Sequence, residues 1–312
     1  MNLGEARKNF IKGYFSVNDR QKKTVSTYGS DMKQFVIFAG EVTELGTLRN
    51  KHIEDWAFYL KEKDYSPASI RRKLVVLKVF FAYWVRDGFL TESPFWRVKI
   101  SVGKIVQLPR TLTESEVKGL LTQQIVIPDE LSKAGVRPSS RDFLRLRNNA
   151  IVELLFATGM RACELSAIDI TDFKAGDSSI RIQGKGRKER MVYIVDNVTA
   201  RVQAAYSGIR LGVQVDSPAL FVNASGTRLS PQGIANVICS LRRKSGIERH
   251  ITPHMLRHTV ATFLLRNGVD IRIVQEFLGH ASIVTTQRYT HVAKEHLISE
   301  LQARHPSLDL RK

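Results

Sequence analysis

A mainly α-helical protein with one small β-sheet, divided into a helical N-terminal domain and an α+β C-terminal domain, is what this sequence predicts. Apolar residues recur at helical spacing through most of residues 1–95 and again through much of the second half. Strict apolar/polar alternation is confined to two short segments, 178–183 and 190–195. Between the halves, residues 97–110 lose all periodicity, with Lys99, Lys104 and Arg110 scattered around Gly103 and Pro109, as in a linker. The domains are therefore expected at 1–96 and 111–312.

In the first domain, residues 25–39 place Tyr28, Met32, Phe35, Val36 and Ala39 on one stripe of a helix. Residues 52–60 do the same with Ile53, Trp56, Ala57 and Leu60. Ser66-Pro67 opens a third, longer helix, with Ser66 as N-cap and Pro67 in the first turn, where its missing N–H costs nothing. That helix carries Ile70, Leu74, Leu77, Phe80, Phe81 and Trp84 and stops near Asp87-Gly88. Its aromatic residues follow the apolar period and read as core. Arg71, Arg72 and Lys73 are expected off that stripe, available to phosphates.

In the second domain, Thr113 with Glu116 forms a capping-box pattern ahead of a helix to Leu121. Residues 123–140, with Pro128, Gly135 and Pro138, read as a long loop. A helix follows over 142–157, ended by Thr158-Gly159. The two strands flank the turn GKGRKE, which presents Lys185, Arg187 and Lys188. Helices are expected at 197–211 and 231–244, the latter ending in the basic run Arg242-Arg243-Lys244. Between Thr252 and Val292, one helix carries His254 and Arg257 on one face, a short helix ends at Gly279, and another begins near Ser282.

The chain has 312 residues, 43% of them hydrophobic, and a formal charge of +18. The excess is +7 over residues 1–100 and +11 over the rest, so it is not a basic tail. Nucleic acid is the polyanion expected as partner. Two cysteines, Cys163 and Cys239, are too few for a disulfide framework or a zinc site. No apolar run approaches the roughly 20 residues of a membrane span, and MNLGEARKNF lacks the core of a signal peptide. A cytoplasmic protein without membrane contact is expected. No Asp/Glu/His/Cys cluster has the spacing of a metal site, and neither a metal nor a cofactor is anticipated.

Arg161 with Glu164, Lys185 in a hairpin turn, His254-x-x-Arg257, His280 after Leu278-Gly279, and Tyr289 follow one another in a suggestive order. Their surroundings read ATGMRACELSAI, TPHMLRHTVAT and LGHASIVTTQRYTHV. In order and spacing they resemble the active-site set of the tyrosine site-specific recombinases. STYGSDMKQF and SPASIRRKLVVLKVFFAYWVRDG are similar to that family's helical core-binding domain, so the resemblance covers about residues 10–300. It implies a SAM-like DNA-binding domain followed by the catalytic domain, acting as a homotetramer on two double-stranded DNA sites. It also implies that residues beyond Tyr289, with Val292, Leu297, Ile298 and Leu301 at helical spacing, dock into a neighbouring subunit.

Each residue type suits the chemistry implied. Attack on a phosphodiester puts negative charge on the non-bridging oxygens, which Arg161 and Arg257 can clamp. Tyr289 supplies an oxygen nucleophile able to store the bond as phosphotyrosine. His254 fits a base, His280 a hydrogen-bond donor to phosphate, and Lys185 an acid for the departing 5′ oxygen. Glu164 fits the orientation of Arg161 or His254. His250, His258, His291 and His296 are assigned no role. Two rounds of strand exchange through a Holliday junction are expected, with a type IB topoisomerase or a non-cleaving DNA-binding factor as alternatives. The core-binding helices begin almost at once, without the arm-binding domain of many phage integrases, which favours resolution of a chromosome dimer, plasmid or transposon.

Overall fold

The computed structural model describes residues 1–17, 22–96, 98, 100–103, 110–121, 137, 139–174, 179–183, 189–279 and 301–306. It divides into two compact units, Met1–Gln107 and Leu108–Lys312.

The first unit contains α1 (Leu3–Val17), α2 (Lys22–Ala39), α3 (Asn50–Glu62) and α4 (Pro67–Arg86). The expected stripes are the buried ones: Met32, Phe35, Ile53, Trp56, Leu60, Phe80 and Phe81 share one core with Leu3 and Phe10 of α1. Burying each such side chain contributes about 1.5–3 kcal/mol. Phe80 and Phe81 are fully buried, so they are core and not a stacking platform. Ser66 caps α4 as expected, its side chain accepting from the Ser69 N–H, with Pro67 in the first turn.

Lys73 departs from expectation. It is buried, with Nζ 2.8 Å from Asp31 Oδ1 on α2 and bonded to Gln34 Oε1. The reason is its phase: three residues after Ile70 and four before Leu77, it sits on the inward stripe, where Asp31 supplies the charge that makes burial tolerable. Lys73 is therefore removed from the candidate DNA contacts.

The second unit is built around α6 (Arg141–Thr158). Residues 149–158 are buried without a break, as expected of a helix covered on all sides. Around it pack α5 (Glu114–Leu121), α8 (Asn197–Gly212), α9 (Pro231–Lys244) and α10 (Pro253–Arg266). The capping box at α5 is present: the Thr113 N–H donates to Glu116 Oε2 (2.7 Å) and the Glu116 N–H to Thr113 Oγ1 (3.3 Å). Two short helices, α7 (Ala162–Ala167) and α11 (Ile271–Leu278), border the site described below.

Among the described residues the sheet has three antiparallel strands in the order β1 (Phe173–Lys174), β2 (Ser179–Gln183), β3 (Glu189–Tyr193). β1, two residues long, is too short to show alternation and has no counterpart in the sequence reading. Ile180 pairs with Val192 and Ile182 with Arg190, so Arg190 shares the face of the buried Ile182. No helix among the described residues is long and apolar enough to cross a membrane, and both cysteines are free.

Leu301, expected on the face offered to a neighbouring subunit, is instead fully buried in the core of its own chain. His305 is buried as well, its ring 6.1 Å from both Phe156 and Phe277. Arg304 Nη1 donates to the carbonyls of Asn267 and Gly268, and Asn267 Nδ2 donates back to the Arg304 carbonyl. Apolar burial and these bonds together hold the segment in place. The expected helix from Ser282 and residues 291–300 lie outside the described residues, as does nearly all of the 123–140 loop.

Candidate active site

The site begins where α6 stops. Gly159 ends the helix in the left-handed region (φ +58°), and a Cβ there would lie 2.6 Å from Leu278 Cδ2 on α11. Only glycine satisfies both demands. Two residues later, Arg161 occupies the N-cap of α7. Its N–H donates to Glu164 Oε2 and its Nη1 to Glu164 Oε1, each at 2.8 Å. The i,i+3 spacing seen in sequence is therefore a helix-start contact. The Arg161 side chain remains 33% exposed, and among the described residues its Nε and Nη2 meet no hydrogen-bond acceptor. Those donors are open to an anion.

Glu164 is buried and has a second arginine that sequence reasoning missed. Arg190, on β3, donates from Nη1 to Oε1 (3.0 Å) and from Nη2 to Oε2 (3.1 Å). Burial pushes the Glu164 carboxyl up, but the hydrogen bonds from Arg190 and from the Arg161 backbone outweigh it and hold the group below the usual carboxylate range. Arg190 Nη2 also reaches the Leu278 carbonyl at 3.3 Å. Its guanidinium lies against Gly279, where a Cβ would fall 2.6 Å from Arg190 Cζ and where φ is +63°. One signal could have exposed Arg190: it has the strand parity of Val192 and Ile194, and an arginine on that inward face needs an acid.

Arg257 lies on α10, capped by Thr252 with Pro253 in the first turn. Buried like Glu164, it donates from Nη1 to the Gly159 carbonyl (2.8 Å) and from Nη2 to the Leu278 carbonyl (2.6 Å). Burial, and next the charge of Arg161, lower its pKa to about 10, with Glu164 opposing. It is still a cation at neutral pH. His254 lies one helical turn before Arg257 and is exposed where Arg257 is buried. Arg161, Glu164, Arg190 and Arg257 thus form one electrostatic group of three guanidiniums and one carboxylate. Such an excess of positive charge, part of it buried, is suited to an anion with charge on more than one oxygen.

Lys185, Arg187, Lys188, His280 and Tyr289 lie outside the described residues. Of the other candidate DNA contacts, Arg71 is exposed and donates to the Gly103 carbonyl at 2.7 Å. Arg72 is 47% exposed, with Nη1 2.9 Å from Asp31 Oδ2. Arg243 is exposed, with Nη2 3.5 Å from Cys239 Sγ. Arg242 is half-buried and uses Nη1 on the carbonyls of Ile247, Glu248 and Arg249, closing the turn after α9. That guanidinium is a structural tie, which departs from its expected role.

Known proteins give a consistent picture. Residues 127–296 match the model of the phage integrase family, and residues 8–88 match the phage integrase N-terminal SAM-like domain. The chain is 35% identical over 288 residues to the tyrosine recombinase XerD of Halalkalibacterium halodurans, covering 91% of each. It is 33% identical over 309 residues to the tyrosine recombinase XerC of Listeria innocua, covering 97% of this chain and 98% of that one. The fold matches that of a lambda integrase (residues 75–356) dimer bound to a COC′ core site, at TM-score 0.67 and 18% identity over 94% of this chain and all of that one. It also matches XerH recombinase bound to difH substrate, at TM-score 0.64 and 21% identity over 98% and 83%.

Proposed function

The chain belongs to the phage integrase family and is a tyrosine recombinase, cleaving and rejoining DNA, and on that premise we propose how its residues divide the work. Arg161 and Arg257 clamp the non-bridging oxygens of the scissile phosphate. Tyr289 attacks phosphorus: its oxygen forms the new P–O bond, the bond to the 5′ oxygen breaks, and the strand is left as a 3′-phosphotyrosine. His254 takes the phenolic proton and Lys185 gives one to the departing 5′ oxygen, so charge does not accumulate on either side. His280 donates to a phosphate oxygen. Rejoining reverses these transfers with the 5′ hydroxyl of a partner strand. The bond energy is conserved in the phosphotyrosine, and no nucleotide is consumed.

The observation that carries this reading is the closeness of Arg257 to Arg161, which Glu164 anchors, within one electrostatic group. Among the described residues Arg161 keeps donors that meet no acceptor, while Arg257 is tied to the carbonyls of Gly159 and Leu278. Two successive exchanges would pass through a Holliday junction on a homotetramer spanning two DNA sites. Residues 292–300 are the segment we assign to the contact between subunits. Residues 1–96 are assigned to the core-binding role and 97–110 to the linker. Exposed Arg71, Arg72 and Arg243, with Arg187 and Lys188, are assigned to the DNA backbone. Resolution of a chromosome dimer, plasmid or transposon is the use we assign to the chain.

A nicked suicide DNA substrate tests the chemistry. A covalent protein–DNA adduct is expected with the unaltered chain and not with Tyr289→Phe. Binding without any adduct would overturn the assigned roles. Exchange between two sites, as opposed to simple relaxation of supercoils, is expected in the same assay series. Mixing Tyr289→Phe with Arg161→Ala subunits then tells whether the tyrosine serves its own arginines: restored cleavage means delivery from a neighbour.

A further inference from the structure

Arg190 has no place among the roles just proposed, yet it makes the most demanding set of contacts in the site. Its fork meets both oxygens of Glu164, its Nη2 reaches the Leu278 carbonyl, and its guanidinium occupies the space that a side chain at residue 279 would take. Glu164 accepts four hydrogen bonds, two from Arg161 and two from Arg190. Without Arg190, the whole charge of that buried carboxylate would fall on Arg161. The Arg161 guanidinium would then be drawn onto Glu164 with both of its terminal nitrogens, as Arg–carboxylate pairs prefer. The donors now open to an anion would be lost.

We infer that Arg190 is a positioning residue that acts through Glu164: it neutralises half of that carboxylate, so that Arg161 is oriented by Glu164 without being consumed by it. Three guanidiniums against one carboxylate leave two positive charges, the number needed by a phosphoryl group gaining a second negative charge as it is attacked. The same fork lies beside the Leu278 carbonyl that Arg257 holds at 2.6 Å, so one side chain touches the supports of both clamp arginines. This inference rests on the anion-clamp reading of Arg161 and Arg257.

A double-mutant cycle tests it, because a side chain that merely supports the fold contributes independently of Glu164, whereas one acting through Glu164 does not. Adduct formation on the suicide substrate would be measured for the full chain, Arg190→Ala, Glu164→Gln and the double variant. Arg190→Ala should slow the reaction by about 10- to 100-fold. In the Glu164→Gln background, with no carboxylate to neutralise, the same change should cost less than about threefold, a coupling of at least roughly 0.7 kcal/mol at 10-fold per 1.4 kcal/mol. Equal losses in both backgrounds, or no loss from Arg190→Ala, would overturn the inference. Arg190→Lys and Arg190→Gln, run in parallel, keep a stem over Gly279 in case the alanine variant does not fold. The lysine, which retains the charge, must outperform the glutamine.

A second readout does not need catalysis. Sulfate should raise the melting temperature of the unaltered chain, less so for Arg190→Ala, and again for the double variant. Absence of adduct from the unaltered chain would sink the recombinase roles, while the sulfate series would still decide the part played by Arg190.

Discussion

Two buried carboxylates, one in each unit, show how similar ion pairs serve different ends. Asp31 and Glu164 are each 4% exposed and each has two cationic neighbours. At Asp31 the close partner, Lys73, is itself 3% exposed, bonded to Gln34 as well and lying over the ring of Tyr65. Arg72 approaches the other oxygen at 2.9 Å without hydrogen-bond alignment. The Lys73–Asp31 pair is closed to solvent and joins α2 to α4, with Arg72 at its exposed rim. At Glu164 every contact is hydrogen-bonded, one donor is backbone, and Arg161 keeps a third of its side chain in solvent. A buried pair such as Lys73–Asp31 can only hold helices together, whereas an arginine with spare donors can take a ligand.

Breaking this comparison begins at the site. Arg257→Ala should lower adduct formation by about 1,000-fold, the scale seen when one donor to a developing oxyanion is removed. Loss of its bonds to Gly159 and Leu278 should also lower the melting temperature. In the first unit the expectation is reversed. Lys73→Ala should destabilise by about 3 kcal/mol in chemical denaturation, because Asp31 is left charged and buried. Asp31→Leu with Lys73→Met should recover most of that stability, and cleavage per folded molecule should be unchanged in both variants.

Glu164→Gln sharpens the contrast, since it should reduce cleavage by about 10-fold or more while costing less stability than Lys73→Ala. Because the Glu164 pKa is depressed in the folded state, its contribution to stability is present above the ordinary carboxylate range. It is lost as pH falls through the lower folded value. The smallest effect is at the surface. Glu116, held at a pKa of about 2 first by its hydrogen bond to Arg249, adds stability that is full above pH 4.5 and disappears as pH falls toward 2. The pair is solvent-screened, so Glu116→Gln should remove less than about 1 kcal/mol of that acid-dependent stability.

What sequence could and could not supply follows from the range of the interactions. Helices α2, α3, α4, α5, α6, α8 and α9 were legible because capping and periodicity are local, and Ser66, Thr113 and Gly159 do in the structure what their residue types suggest. The Arg161–Glu164 contact was legible for the same reason. Arg190 was not, because its partner is 26 residues away and its strand parity looks like noise in a five-residue segment. Lys73 was misread because charge was given more weight than phase. Arg242 was misread because a basic run shows charge and not the carbonyls that surround it.

The burial of Leu301 and His305 has a consequence for how the protein comes into being. Phe156 and Phe277, which His305 covers, belong to the helices that lead into Gly159 and Leu278, the carbonyls gripped by Arg257. During synthesis, residues 301–305 leave the ribosome after everything they pack against, so this wall of the core stays open until then. A nascent chain halted before residue 301 would present these two rings to water and hold Arg257 less firmly. Strand-cutting capacity would then wait on the emergence of residues 301–305.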